Sequence, residues 1–163
     1  MSVVDESQTG AAQAAHTEQD LGPLAWVLDE LRKSLEGASK AVARFVRDAD
    51  AARASDLEEL DTSALRIARQ QLHQACGALE MVGLGSPALV LRGMESAVQR
   101  FVQRPELCTD QAAATLERAS FALIEYLETV LAGKTVSAVA LFPQYRDTCL
   151  LYTSDAADEE DSV

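Results

Sequence analysis

Leu72-His73-Gln74-Ala75-Cys76-Gly77-Ala78-Leu79-Glu80-Met81-Val82-Gly83-Leu84 is the stretch whose reading decides the fold. On a helix at about 100° per residue, it continues a stripe made of Leu65, Ala68, Leu72, Ala75, Leu79 and Val82. Apolar residues at that spacing share one face, the face a bundle helix turns to a common core. His73 falls off the stripe, toward its border with solvent, beside Arg66, Arg69 and Glu80. One turn later Gly77 has no side chain, which leaves the imidazole a clear approach.

Working outward, Asp61 or Thr62 caps this helix and Gly83 with Gly85 stops it, which predicts a span near 62–83. Ser86 and Pro87 restart the chain as N-cap and first helical residue, and Pro105 closes the next helix, near 87–103. Its core face is Val90, Met94, Ala97, Val98 and Phe101. Thr109 caps a further helix near 110–132, with Ala113, Leu116, Ser120, Leu123, Leu127 and Val130 inward and Gly133 as its stop. Upstream, Pro23 opens a helix near 23–48 whose stripe runs through Leu24, Val27, Leu28, Leu31, Leu35, Ala38, Val42 and Phe45. Gly37 is placed on the opposite face and Trp26 at a partly buried edge. Asp48–Asp61 reads as a connecting segment of marginal helicity, with Ser55 and Glu58 capping a short turn.

The short 83–86 connection makes the second and third helices antiparallel neighbours. The predicted fold class is therefore all-α, an antiparallel four-helix bundle with a truncated fifth helix opened by Pro143-Gln144-Tyr145. Residues 1–20 read as a disordered leader that carries His16, and 21–147 as the bundle. From Cys149, the text Cys-Leu-Leu-Tyr-Thr-Ser-Asp-Ala-Ala-Asp-Glu resembles a translated transposase-type sequencing adapter. The expectation is that 148–163 is a disordered, non-native tail outside the fold and that the natural chain continues past about Asp147. An ordinary acidic tail is the alternative.

The net charge of −12 comes mostly from the ends: 1–20 hold four acids and 150–163 five, with no Lys or Arg in either. The middle, with 17 acids against 14 bases, is near neutral. No basic cluster supports nucleic-acid binding. No signal-type N-terminus or spanning apolar run points to a membrane, so a cytoplasmic protein without membrane insertion is expected. Three cysteines without metal spacing read as reduced thiols. A four-helix metal bundle lacks its Glu-x-x-His repeats, and no cofactor is expected.

His73, Gly77, Ala78, Val82 and Gly83 match the pattern His-x-Leu-Lys-Gly-small-small-x-x-apolar-Gly of histidine phosphotransfer (Hpt) domains. His73-Gln74-x-x-Gly77-Ala78-Leu79-x-Met81-Val82 more specifically resembles the N-terminal Hpt-like domain of CheA-type hybrid histidine kinases of the type IV pilus, or twitching-motility, branch, and is similar to FimL-type scaffold domains. The likeness extends over most of Leu21–Asp147. Cys76 stands where the family has lysine, and Leu79 where it usually has a small residue.

The resemblance implies that His73 accepts a phosphoryl group in a chemosensory phosphorelay. Its implied partners are a histidine kinase catalytic domain and response-regulator receiver domains. The glutamate that such domains use on the next helix falls on Glu95, 22 residues after His73. Two antiparallel helices joined near 84–86 bring 73 and 95 level. Arg69, or Arg66 a turn earlier, is the candidate for offsetting phosphoryl charge. Nothing in these residues reads as a nucleotide-binding catalytic domain, so the chain itself is not expected to be a kinase. A non-phosphorylated docking scaffold is the alternative.

Overall fold

The computed structural model describes the backbone of residues 5–56 and 59–161, with side chains over 22–56 and 59–153. Five α-helices follow in order: α1 Asp5–Ala54, α2 Ser63–Met81, α3 Gly85–Gln103, α4 Asp110–Leu131 and α5 Phe142–Asp161. Short 3-10 turns at Pro105–Leu107 and Ala138–Leu141 lead into the last two. Among the described residues there is no strand.

The apolar stripes become the core. Leu31, Leu72, Leu79, Val98, Phe101 and Leu123 are at most 1% exposed, and every residue of the α1 stripe is buried. Two of the helix stops are the glycines that the sequence marks. Gly83 and Gly133 take positive φ, of 80° and 76°. The amides of Gly83 and Leu84 return to the carbonyls of Glu80 and Leu79, and those of Gly133 and Lys134 to Val130 and Thr129. Both ends are Schellman closures, which satisfy carbonyls that a helix terminus otherwise leaves bare. At the start of α4, Thr109 Oγ1 accepts from the Ala112 amide at 3.1 Å, as a capping threonine does.

Other boundaries move. Helix α1 begins at Asp5, so Pro23 lies inside it rather than opening it. Residues 5–20 of the expected leader thus have helical backbone, while 1–4 and the side chains of 5–21, His16 among them, lie outside the described residues. At its other end α1 runs on to Ala54, because Val46 and Ala49 extend the buried stripe to 5% and 1% exposure. Asp56 then turns the chain at φ 58°; Glu58, half of the expected capped turn, lies outside the described residues. Thr62 is the N-cap of α2 without a side-chain bond, while Asp61 accepts from the Ser63 amide at 2.9 Å. The Ser63 hydroxyl and amide hold the Asp61 carboxyl below its ordinary range. Helix α3 starts at Gly85 with Leu84 as N-cap, not at Ser86–Pro87. Trp26 is 71% exposed rather than a partly buried edge. Gly37 faces α2, not solvent: a Cβ there would come within 2.5 Å of the Gln71 amide nitrogen.

The largest correction is α5. It is a complete helix, and it lies between α3 and α4, which touch one another only lightly. The packing runs α1 on α2, α2 on α3, α3 on α5, α5 on α4 and α4 on α1. Thr148 is fully buried, and Leu151 and Tyr152 pack partly buried against the core. The expectation that 148–163 stays outside the fold is therefore overturned for 148–152; the side chains from 154 onward are not described. Thr148 can sit in an apolar interior because its hydroxyl bonds the Gln144 carbonyl at 2.9 Å. Ala112, Thr115 and Ala119 join Leu116, Ser120, Leu123 and Leu127 as buried residues of α4, while Ala113 and Val130 of the expected stripe are only partly buried.

Candidate functional site

Helix α2 buries Leu65, Ala68, Leu72, Ala75 and Leu79 at 2% exposure or less, and that phase turns His73 outward. Helix α3 buries Val90, Leu91, Met94, Ala97 and Val98, and the same logic leaves Glu95 at the edge of its α2-facing side. The three-residue turn 82–84 joins the two helices with antiparallel register. Cross-pair contacts at 73 with 95, 76 with 88 and 80 with 92 show it.

At that register His73 Nδ1 lies 2.8 Å from Glu95 Oε1. The His73 side chain is 69% exposed, and that of Glu95 only 22%. An ionised carboxylate can only accept, so the proton of a neutral imidazole sits on Nδ1. The other ring nitrogen, Nε2, then carries the free lone pair on a largely exposed ring. A carboxylate on one ring nitrogen in this way fixes the tautomer and the orientation of a histidine ring.

The surroundings follow from the same two helices. A Cβ at Gly77, one turn after His73, would meet nothing within 4 Å. Arg69, one turn before His73, is half-buried and makes no ion pair among the described residues; Arg66 is exposed. Cys76 is 4% exposed, its thiol 3.6 Å from the Ala88 carbonyl and 3.8 Å from Glu80 Oε1. Burial pushes that thiol up, Arg92 opposes the shift by a hydrogen bond and by its charge, and the Glu95 charge adds to it.

The structure thus brings His73 and Glu95 into contact and places Gly77 and Arg69 one turn to either side on α2. The sequence reading missed Arg92, which pairs with Glu80 across the helices. The signal was present: if 73 is level with 95, then 92 is level with 76. A groove of about 670 Å³ lies elsewhere, between α1 and α4, and includes Leu35, Ala113, Phe121 and Ile124. Among the described residues, no group of His, Cys, Asp and Glu is arranged to hold a metal ion. No helix there is long and apolar enough to cross a membrane.

No protein-family model, curated protein or solved structure matches this chain.

Proposed function

We propose that this chain is an Hpt-like phosphotransfer and docking domain of a CheA-type hybrid histidine kinase. It would work in the cytoplasm, in a pilus-type chemosensory phosphorelay. The observation that carries the reading is the 2.8 Å bond between His73 Nδ1 and Glu95 on an exposed ring. His73 is the phosphoacceptor. Glu95 orients it, Arg69 offsets phosphoryl charge, and Gly77 keeps the approach open.

The chemistry is simple. The Nε2 lone pair attacks the phosphorus of a phosphorylated donor, either the terminal phosphoryl of a nucleotide held by a kinase domain or a receiver's aspartyl phosphate. An N–P bond forms as the donor's P–O bond breaks, and the leaving oxygen keeps the bonding pair. The ring gains positive charge, which the Glu95 carboxylate offsets while it holds the Nδ1 proton. Beyond the nucleophile itself, the protein contributes positioning and electrostatics to such a step.

The test is incorporation of acid-labile, base-stable phosphate from a kinase domain or a phosphorylated receiver. Labelling is expected in wild type, none in His73→Gln, and about 10–100-fold slower labelling in Glu95→Gln. Equal labelling of wild type and His73→Gln refutes the reading. A second reading, a FimL-like scaffold that docks partners without carrying phosphate, is favoured by one observation: position 76 holds a buried thiol and no cation. Absence of labelling with a demonstrably active donor selects it.

A further inference from the structure

A phosphoryl group on His73 brings concentrated negative charge to a surface that already holds Glu80 and Glu95. The residue three positions after His73 is a buried thiol, so α2 supplies no cation on that side. Helix α3 does. Arg92 is one turn from Glu95 on the same face, and Glu95 touches the imidazole. Its guanidinium crosses to α2, where it pairs with Glu80 and lies close enough to Cys76 to restrain the rise of its pKa. The Arg92 side chain is 58% exposed and that of Glu80 41%, so the pair is held weakly and screened by water. One helical turn rises about 5.4 Å, within the sweep of an arginine side chain.

We infer that Arg92 is the residue that contacts and stabilises the phosphoryl group on His73, and that Glu80 holds it in reserve until the group arrives. The inference rests on the phosphotransfer reading above. The resting ion pair holds the guanidinium beside Glu80 and Cys76, on the side of the imidazole toward the C-terminal end of α2. A phosphoryl dianion accepts two parallel N–H bonds from a guanidinium and outcompetes a single exposed carboxylate for it. The exchange replaces one contact by another without moving either helix. Arg69, on the opposite side along α2, then faces the same group from the N-terminal direction. The transferred group is thereby bracketed by two cations that come from different helices.

The experiment uses the full chain with an active phosphodonor and reads two quantities: the single-turnover labelling rate, and the lifetime of the phosphohistidine after the donor is removed. Arg92→Gln is expected to label about tenfold more slowly or worse, the loss of one charge-assisted bond, and to shorten the lifetime. Arg92→Lys restores part of both. Glu80→Gln frees the guanidinium and raises the rate. Breaking an exposed ion pair leaves helicity intact, and far-ultraviolet circular dichroism checks this. Labelling of His73 at the wild-type rate and lifetime in Arg92→Gln overturns the inference while leaving the phosphotransfer reading standing. Equal slowing in Glu80→Gln and Arg92→Gln also overturns it, because the pair then acts only as a structural tie. Failure of wild type to label overturns both.

Discussion

Two faces of the same hairpin use glycine in opposite ways. On the α3–α5 face, a Cβ at Gly93 would lie 2.8 Å from Thr148 Oγ1, so the residue is required by the close approach of two helices. On the α2–α3 face, Gly77 sits in the interior of α2 and a Cβ there would meet nothing within 4 Å. A mid-helix glycine costs about 1 kcal/mol relative to alanine. At Gly93 the fold itself returns that cost through packing; at Gly77 nothing inside the described chain does. A residue that weakens a helix without serving its packing is what the proposed clearance beside His73 calls for.

The contrast can be broken most decisively at α5. Ending the chain after Asp147 removes buried Thr148 and the half-buried Leu151 and Tyr152. The loss is expected to be about 2–4 kcal/mol, which lowers the thermal midpoint by more than about 5 °C. An unchanged midpoint would show that α5 does not close the bundle. Next in size, Gly93→Val overpacks the α3–α5 contact and is expected to cost about 1–3 kcal/mol, measured by urea unfolding. A neutral result would remove the distinction between the two glycines.

Gly77→Ala sharpens the same comparison from the other side. It is expected to stabilise the protein by about 1 kcal/mol while slowing phosphate incorporation at His73. Stabilisation without slowing would mean the clearance goes unused.

The last effect, absent near neutral pH, concerns the buried thiol of Cys108, just before α4. Burial, with the Asp110 charge adding to it, pushes Cys108 from 9.0 up to about 12. Its folded state therefore keeps a proton that the unfolded chain releases as pH rises through about 9. Stability is unaffected below that value and falls between about 9 and 12. Cys108→Ala is expected to flatten that decline in unfolding free energy, measured as the difference from wild type across the same pH range.

The fold was legible wherever a helix buries one clean stripe. Helices α2, α3 and α4 fall within two residues of their expected spans, since apolar period and glycine or proline stops coincide there. Helix α5 was not legible, because its central buried residue is Thr148. A hydroxyl satisfied by its own preceding turn packs like an apolar group, yet reads as polar in a sequence. The adapter-like text after it also argued against any packing. Pro23 misled in a different way: its fixed φ is helical, so a helix can run through it, at the cost of one backbone bond and of a ring crowded against the preceding turn. At the site, the His73–Glu95 contact was legible because a short turn fixes which residues are level, with the family resemblance indicating which glutamate to seek. Arg92 was overlooked although the same register puts 92 level with 76, because a lone arginine forms no pattern of its own.

The Gly83 closure has a consequence beyond ending a helix. With only Val82, Gly83 and Leu84 between α2 and α3, the turn acts as a phase lock between two rotating shafts. One residue added within α3 ahead of Glu95 would turn Glu95 by about 100° relative to the start of the helix and shift it by about 1.5 Å. Glu95 would swing away from the imidazole although every side chain of the site remained in place. The loop after Gly133 has no such duty toward His73 and can absorb length. Along this chain, the distance in residues between 73 and 95 is thus more constrained than the identity of most residues between them.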